Sequence, residues 1–346
     1  MKKVSIIIPC YNAKDYIKDC FASLEKQTIG IESLEIIFVD DASTDCTGEL
    51  IEEYRKKYPK SVKTIHLSEN CRQGGARNAG IVQAQGEYLS FLDADDWMDV
   101  TAYEVLYRYA VEQKLDILQF DRINIEGEKQ WKENCCVLEG VLPLTDVETR
   151  KLFLMSGMFS FGCTNKLYRK EFVDRVGSSF AEKVIFEEPL FVYPLFFYAK
   201  RIGSIKKHFY FCRHHVNSTM RKDALEPKRI KNHPKVQQLV WEFMKKRPEI
   251  VTLYGAEIEY YFLSTYYAET ICMAGNAGGI EAGYFKIMQD YVIDEFPKWK
   301  ENPYFTEEEG NLTFDIMKSV DVDFTQETLN DYCRKVAEKV RKEEKG

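Results

Sequence analysis

Hydrophobic and polar positions alternate in blocks along the first hundred residues. Short runs typical of buried strands, the first of them β-branched, alternate with stretches in which apolar residues recur at helical spacing. The strand-like runs are Lys3–Ile8, Leu34–Val39, Val62–Leu67 and Tyr88–Leu92. The helical stretches are Ala13–Leu24, a segment through Leu50 and Tyr54, and a third that Gly74-Gly75 opens and Gly86 closes as a left-handed terminal residue. This order predicts a doubly wound α/β half with a mostly parallel, Rossmann-like sheet between helices.

The pattern changes beyond residue 100. It predicts in turn a helix, a strand, an irregular stretch and a packed aromatic segment: Val105–Val111, Ile117–Ile125, Lys129–Leu144 and Phe186–Tyr198. After Arg221 the apolar spacing is helical throughout. We therefore predict three parts, an α/β half over residues 1–100, a second half of the same domain over 101–222 and a helical extension over 223–346.

Composition narrows the class of protein. The 48 Lys and Arg against 55 Asp and Glu give a net charge of −7, which argues against a chain built to grip nucleic acid. The sequence is 45% hydrophobic, enough for a buried core, yet it has no apolar run long enough to span a bilayer or act as a secretory signal. The 10 scattered Cys form no C-x-x-C pair, so we expect a reducing cytoplasm rather than a disulfide framework or a zinc site.

Polar clusters follow three of the predicted strands. They are Pro9-Cys10-Tyr11-Asn12, Asp40-Asp41 and Asp93-Ala94-Asp95. Each cluster alone is better explained by helix capping and turn chemistry. Three clusters at the carboxyl edge of one parallel sheet favour a ligand site, because ligands bind there in such folds.

The segment Asp93-Ala94-Asp95 is the most informative of these clusters. In an extended chain the two Asp side chains would point the same way, with Ala94 turned aside. Converging carboxylates favour a cation, and hard oxygen ligands suit Mg²⁺ or Mn²⁺ held together with substrate phosphates. Asp96 is expected to face elsewhere and to cap the segment before Trp97. A solvated turn is the alternative interpretation.

Asp40 and Asp41 are adjacent, so one of them can point into such a pocket while the other caps a helix near Thr44 or Asp45. The first could accept a hydrogen bond from the imide N–H of uracil or thymine. Tyr11 offers a ring on which a base could stack, or it packs against the edge of the sheet.

Arg77 and Asn78 are placed in the first turn of the helix that Gly74-Gly75 opens. A cation there opposes the helix dipole, which hints at a function. Arg77 could meet a diphosphate or the acidic cluster in forked geometry, or it could be a surface residue.

Glu187-Glu188-Pro189 is a second acidic candidate. Pro189 suits the first position of a helix, and Glu is a mediocre N-cap, so capping explains the pair poorly. Such a carboxylate could take a proton from a hydroxyl nucleophile. The alternative is a helix-start Glu stabilised by the dipole.

Arg213-His214-His215, followed by Ser218-Thr219, forms a basic polar loop after the strand-like Lys207–Cys212. Arg213 could neutralise a leaving phosphate, and one His could complete a metal shell, with His215 taken as that ligand. Adjacent His residues are otherwise surface residues.

Taken together, four motifs occur in an order and spacing that resemble the family 2 inverting glycosyltransferases of GT-A fold. The motifs are Val4–Asn12, Val39–Asp45, Gly75–Gly80 and Phe91–Asp96. Fainter similarity continues through Asn165–Tyr168, Phe186–Glu188 and Tyr210–Thr219, and nothing after about residue 222 resembles the family.

The resemblance implies a nucleotide-sugar donor, with UDP as the nucleotide. It places Pro9, Tyr11 and Asp40 at the base, Asp93 near the ribose, Arg77 beside the donor, and Asp95 at the metal. Glu188 occupies the position of the Asp in the family's Glu-Asp pair, thought to be the catalytic base. The pair reads Glu-Glu here, so the base stays open between Glu187 and Glu188. The full set of predicted donor contacts is Pro9, Tyr11, Asn12, Asp40, Asp41, Arg77, Asn78, Asp93, Ala94 and Arg213, with Asp95 and His215 as metal ligands.

The predicted reaction is attack of a deprotonated acceptor hydroxyl on the anomeric carbon, with inversion and without an enzyme nucleophile. The acceptor is expected to be a saccharide or a lipid-linked sugar. Two other functions stay open. A sugar-1-phosphate nucleotidyltransferase would need a Gly-rich basic loop after the first strand, where Pro9-Cys10-Tyr11-Asn12 stands. A non-catalytic nucleotide-sugar or carbohydrate-binding protein would need neither a metal pair nor a base.

The segment Arg221–Arg247 carries an excess of Lys and Arg over acidic residues. Such a segment could dock on an anionic membrane at its inner face, where lipid-linked acceptors are found. A solvated helical face balanced by acidic neighbours is the alternative.

Overall fold

The computed structural model describes residues 2–215, 227–307 and 311–343. The chain divides into two compact units, Met1–His215 and Val216–Gly346. The first unit holds a large sheet with helices, and the described part of the second is helical. The finer boundaries at residues 100 and 222 stay predictions.

A ten-stranded sheet organises the first unit. In chain order the strands β1 to β10 are Val4–Cys10, Leu34–Asp40, Val62–His66, Tyr88–Phe91, Trp97–Met98, Ile117–Glu126, Lys129–Glu133, Gly140–Pro143, Lys166–Arg169 and Arg201–Arg213. Their spatial order is β3-β2-β1-β4-β9-β6-β10-β5, with β7 on β6 and β8 on β10. The run β3-β2-β1-β4 is parallel as predicted, whereas β9 is antiparallel to both of its neighbours.

Pro9 lies inside β1 rather than after it. It stands opposite Val39 of β2, beyond Ile7, the last residue of β1 that pairs with β4. Proline cannot donate to a ladder, and it is tolerated here because β1 has a strand neighbour on one side only at this level.

Seven α-helices accompany the sheet in the described part of this unit. In chain order α1 to α7 are Ile17–Glu25, Thr47–Lys57, Arg72–Gln83, Ala102–Glu112, Val147–Met155, Lys170–Val176 and Glu188–Tyr198. One continuous apolar core packs β1, β2 and β4 against α1, α2 and α4, and its members are almost fully buried. The β-branched strand residues that suggested buried strands therefore lie where they were expected.

Three local expectations are wrong. Lys129–Leu144 is not irregular, since it contains β7 and β8. Gly74 and Gly75 lie within α3 rather than opening it, and a Cβ on Gly74 would lie 2.0 Å from the carbonyl oxygen of Ala181. Gly86 does not have the left-handed conformation. Its role is close approach, because a Cβ there would lie 2.5 Å from the backbone nitrogen of Ser5.

The described part of the second unit has its own apolar core, built by seven further α-helices. In chain order α8 to α14 are Pro227–Ile230, Asn232–Lys245, Pro248–Leu263, Thr270–Asn276, Ala282–Glu295, Leu312–Met317 and Gln326–Glu343. A π-helical stretch, Ser264–Glu269, joins the third and fourth of these. Within the described ranges, no helix has both the length and the apolar character that crossing a bilayer requires.

Candidate active site

The carboxyl ends of β2, β1 and β4 lie side by side, because these strands are parallel neighbours. This arrangement brings the three predicted polar clusters to one edge of the sheet. Asp40 ends β2, Pro9 and Cys10 end β1, and Asp93 follows β4. This edge of the sheet is therefore acidic, and it is the edge at which open parallel sheets bind ligands.

The chain turns at Asp93 instead of continuing as a strand. The backbone N–H of Asp96 donates a 3.0 Å hydrogen bond to the carbonyl oxygen of Asp93, which closes a turn through Ala94 and Asp95. The assumption of an extended segment is therefore wrong. Asp93 contacts Arg77 and Asp95 contacts His215, so the two carboxylates have different partners.

Arg77 is a buried cation that joins two acidic elements. It is 1% exposed, and its Nη2 donates to Oδ1 of Asp93 at 2.9 Å while Nη1 donates to Oε1 of Glu187. Its guanidinium also lies 5.3 Å from the ring centroid of Phe180. Because α3 begins at Arg72, Arg77 is in the second turn of the helix, not the first. The interpretation of Arg77 as a surface residue is wrong.

The two acids that Arg77 joins are mostly buried. Burial raises the pKa of Asp93 more than the cation of Arg77 lowers it, and the nearby charges of Asp95 and Glu188 add to the rise. Burial likewise raises the pKa of Glu187 against the effect of Arg77. The electrostatic influence of both Asp95 and Glu188 on Asp93 indicates that the edge of β4 and the start of α7 form one acidic site.

Asp95 and His215 are the side chains predicted to hold a divalent cation. Oδ2 of Asp95 lies 2.8 Å from Nε2 of His215, and the ring of His215 stacks on Tyr16 with centroids 4.3 Å apart. A carboxylate and an imidazole fit part of an Mg²⁺ or Mn²⁺ shell that phosphate oxygens and water complete. Across the described ranges, no three His, Cys, Asp or Glu side chains are grouped so that they could hold an ion unaided.

Asp96 has a larger role than capping. It is 3% exposed, and it accepts hydrogen bonds from the hydroxyl of Tyr210 at 2.5 Å and from the backbone N–H of Arg213 at 2.7 Å. Burial raises the pKa of Asp96 well above its usual range, and Asp95 and Asp93 raise it further. Asp96 thereby ties the turn after β4 to the end of β10. Its carboxylate has other partners than those of Asp93 and Asp95, as expected, but the expectation that it caps the segment before Trp97 is wrong.

Arg213 lies against the same turn. Its Nε donates to the carbonyl oxygen of Asp95 at 3.0 Å and its Nη2 to Asp19 of α1. The guanidinium also lies 4.8 Å from the ring centroid of Trp97 and 5.4 Å from that of Tyr16. His214 turns away, with Nε2 2.9 Å from Oδ1 of Asn124. Ser218 and Thr219, predicted to continue this loop, lie outside the described residues.

Glu187 and Glu188 have different surroundings. Glu187 is 5% exposed and bound to Arg77, whereas Glu188 is partly exposed and accepts a 2.6 Å hydrogen bond from the backbone N–H of Cys163. Glu188 and Pro189 begin α7, as Pro189 predicted. Phe186 just before them has a φ of +66°, a conformation that costs a bulky L-residue energy. Backbone strain of this kind is typical of functional sites.

At the edge of β2, the partners of Asp40 and Asp41 belong to the chain itself. Asp40 accepts from the backbone N–H of Ser43 at 3.0 Å, and its other oxygen lies 3.1 Å from Nδ1 of His66. Asp41 accepts from the backbone N–H of Cys71 at 2.7 Å, just before α3. Neither residue caps α2, which begins at Thr47, so that expectation is wrong.

The remaining predicted donor contacts differ in exposure and partners. Tyr11 is 52% exposed, so it does not pack on the sheet edge. Asn12 accepts from the backbone N–H of Thr44 at 2.8 Å, which joins the loops after β1 and β2. Asn78 contacts the backbone of Phe180 through both of its amide atoms, at 2.9 and 3.0 Å. Asn12 and Asn78 thus shape the loops around the site.

Sequence reasoning missed several residues of this site. Four residues contact the predicted residues or their loops, yet the sequence assigned them no role. They are Tyr16, Cys163, Lys166 and Tyr210. A signal existed for Lys166, since a Lys beside Leu167 and Tyr168 in a strand-like run is unusual. The others are common residue types whose position alone carries no signal.

The sheet order, the acidic edge of β4 and the second acidic pair together define an α/β protein of GT-A type. The family model described as "Glycosyl transferase family 2" matches residues 5–177. This chain belongs to glycosyl transferase family 2, as its four motifs predicted.

Individual relatives give the extent of the similarity. Glycosyltransferase GlyG of Streptococcus pneumoniae is 27% identical over 230 residues, which are 63% of this chain and 73% of GlyG. The poly(ribitol-phosphate) β-N-acetylglucosaminyltransferase TarS of Staphylococcus aureus is 32% identical over 127 residues, 37% of this chain and 22% of TarS. For other curated relatives the matched region spans between 18% and 63% of their length.

Among solved structures, residues 1–349 of S. aureus TarS in complex with UDP-GlcNAc resemble this chain with a TM-score of 0.59. The two are 18% identical, and the match covers 92% of each chain. At this identity the likeness shows the fold, which is the α/β fold that the sequence predicted.

Proposed function

We propose that the protein transfers a sugar from a nucleotide-diphosphate donor, a UDP-sugar, to an acceptor hydroxyl with inversion at the anomeric carbon. One observation carries this proposal. Arg77 joins Asp93 at the donor edge of the sheet to Glu187 beside Glu188. A donor held at β4 and a carboxylate able to activate an acceptor are therefore parts of one site.

Glu188 is the residue that we assign as the base. Glu187 is buried and its carboxylate is bound to Arg77, so it is poorly placed to receive a proton from an acceptor. Glu188 is partly exposed, and the amide of Cys163 binds one of its oxygens, which orients the carboxylate. Oriented in this way, it can take the hydroxyl proton as the oxygen attacks the sugar.

Donor binding is assigned to the carboxyl edge of β1, β2 and β4. Tyr11 is exposed there and offers a ring to the nucleobase, and we assign Asp93 to the ribose because the family resemblance does so. Asp95 and His215 would hold Mg²⁺ or Mn²⁺, which would supply positive charge against the leaving diphosphate. Arg213, anchored to the same turn through the carbonyl oxygen of Asp95, adds a second cation at this edge.

The acceptor is proposed to be a saccharide or polyol hydroxyl. TarS, a relative by sequence and by fold, is named for transfer of N-acetylglucosamine to poly(ribitol-phosphate).

A lipid-linked acceptor and contact with an anionic membrane belong to the same proposal. Co-sedimentation with anionic vesicles at low salt tests the membrane contact. A protein that stays in the supernatant would contradict this part of the proposal. Two Lys residues of the basic segment have acidic partners in this unit, Lys231 with Glu281 and Lys245 with Glu295.

A nucleotide-sugar screen tests the proposed function. The protein is incubated with UDP-hexoses and UDP-N-acetylhexosamines, with Mn²⁺ or with EDTA, and with a panel of saccharide and polyol acceptors. We expect UDP release that needs Mn²⁺ and is lost in Asp95→Asn. Asp99→Asn is the matched control, because the hydrogen bonds of the Asp99 carboxylate to described residues go to Thr101, two positions along the chain. Metal-dependent donor binding without turnover on any acceptor would instead indicate a binding protein.

A further inference from the structure

Lys166 is a buried cation beside the acceptor side of the site. Its side chain is fully buried in β9, and its ammonium donates to three neutral oxygens. These are the hydroxyl of Ser160 at 3.0 Å, the carbonyl oxygen of Gly162 at 2.6 Å and the amide oxygen of Asn165 at 3.1 Å. Within the described residues no carboxylate lies in contact with it. A buried charge without a counter-ion costs stability, so its retention points to a use.

One of these three oxygens belongs to the peptide that binds Glu188. Lys166 donates to the carbonyl oxygen of Gly162, and the N–H of Cys163 donates to Oε1 of Glu188, both at 2.6 Å. The carbonyl group and the N–H are the two ends of one peptide unit. A cation at the oxygen withdraws electron density from the N–H, which makes it a stronger donor to the carboxylate.

We propose that Lys166 is a positioning residue, which fixes and polarises the Gly162–Cys163 peptide so that the carboxylate of Glu188 is held in the orientation that its role as base requires. This inference rests on the proposed function, because it concerns the same Glu188. Lys166 contacts neither the donor edge nor Glu188 itself and acts through the peptide between them.

A second buried polar residue fastens the same loop without adding charge. The side-chain oxygen of Gln119, in β6, accepts from the backbone N–H of Ser160 at 3.2 Å, and its amide nitrogen donates to the carbonyl oxygen of Met158 at 3.3 Å. The loop between Met158 and Cys163 is therefore anchored at two points. Because the neutral side chain of Gln119 already anchors this loop, anchorage does not by itself explain why Lys166 is charged.

The surroundings of Lys166 predict its own titration. Burial lowers the pKa of Lys166 to about 8, and the negative charge of Glu188 opposes this shift. Burial raises the pKa of the thiols of Cys163, Cys135 and Cys136, that of Cys136 to about 12. A titration step near pH 8 at this peptide therefore belongs to Lys166 rather than to a cysteine.

The pH dependence of turnover tests the proposal with three proteins. Lys166→Met removes the charge and keeps the length of the side chain, whereas Lys166→Arg keeps the charge. In wild type we expect kcat to fall as the pH rises through about 8, where Lys166 loses its charge. In Lys166→Met we expect a kcat about tenfold lower that no longer falls near pH 8, while Lys166→Arg, which keeps the charge, should stay near the wild-type kcat. A folded Lys166→Met protein with the wild-type kcat and the wild-type pH profile would overturn the inference.

A measurement on the wild-type protein needs neither activity nor a stable variant. With ¹⁵N-labelled cysteine, the Cys163 amide signal is assigned by its loss in Cys163→Ala and followed from pH 4 to pH 10. We expect a step near pH 8 from Lys166. Absence of the step near pH 8 would contradict the coupling. If the wild-type protein turns over no donor, the proposed function fails, while this titration still decides whether Lys166 acts on the peptide.

Discussion

Arg77, in α3, donates a 2.9 Å hydrogen bond to Asp93, which follows β4. Through its other nitrogen it reaches Glu187, 110 positions further along the chain. One buried guanidinium thus fixes the distance between the edge of β4 and the start of α7. Two carboxylates balance its charge, and the planar fork of Arg suits two such partners better than an ammonium would.

Removal of this cation is expected to be costly. Arg77→Met leaves Asp93 and Glu187 without a counter-ion in a buried environment, which should lower the free energy of unfolding by about 3–5 kcal/mol. The free energy of unfolding of Arg77→Lys should lie between those of wild type and Arg77→Met, since one ammonium cannot bind both carboxylates in forked geometry. Urea unfolding measures both variants. Lys183→Met is the control, because its ion pair with Glu69 is exposed on both sides and should leave stability unchanged.

His66 makes stability depend on pH near neutrality. Burial alone would lower the pKa of His66, but its contacts with Glu52 and Asp40 outweigh burial and raise it. A raised folded-state pKa stabilises the fold below the unfolded value of about 6.5, and this contribution is lost as pH rises through the folded value. We expect the stability difference between wild type and His66→Gln to be largest near pH 6 and to shrink at higher pH. A difference that grows with pH would contradict the assigned contacts.

Two helical glycines should respond to alanine in opposite directions. A Cβ on Gly80 in α3 would lie 2.4 Å from Cγ2 of Ile7 in β1, so Gly80→Ala should destabilise the protein by about 1–3 kcal/mol. Gly255 in α10 has nothing within 4 Å of its added Cβ. Gly255→Ala should therefore stabilise by up to about 1 kcal/mol, because alanine favours a helix. Thermal unfolding of the two variants measures both changes in stability. A loss of stability in both variants would be inconsistent with these surroundings of Gly80 and Gly255.

The parallel strands β1 to β4 could be predicted from the sequence because β1, β2 and β3 are rich in β-branched residues and β4 is a short, largely apolar and aromatic run. Strands β7 and β8 could not, since β7 is largely polar and exposed and β8 has only four residues, most of them half-buried. Their partners β6 and β10 impose the extended conformation, and that pairing has no trace in local composition. Gly86 shows a related limit, because a close backbone approach and a left-handed turn both select glycine.

Within the site, the sequence predicted which acidic residues gather at the sheet edge, but not what they contact. The positions of Asp93, Glu187 and Arg77 were identified, yet the link between them depends on packing across more than a hundred residues. The assumption of an extended Asp93–Asp95 segment failed because the chain turns at Asp93. Asp96 was given a capping role since its actual partners, Tyr210 and Arg213, come from a distant strand.

The division of roles between Glu187 and Glu188 tests the account most directly. The measurement is kcat with the best UDP-sugar and acceptor for wild type, Glu188→Gln and Glu187→Gln, together with UDP affinity by calorimetry. We predict that Glu188→Gln lowers kcat by at least about 100-fold with unchanged UDP affinity, because glutamine cannot accept the hydroxyl proton. Glu187→Gln should instead lower stability, since it removes one partner of buried Arg77. A Glu188→Gln enzyme that retains wild-type kcat would contradict the assignment of this site.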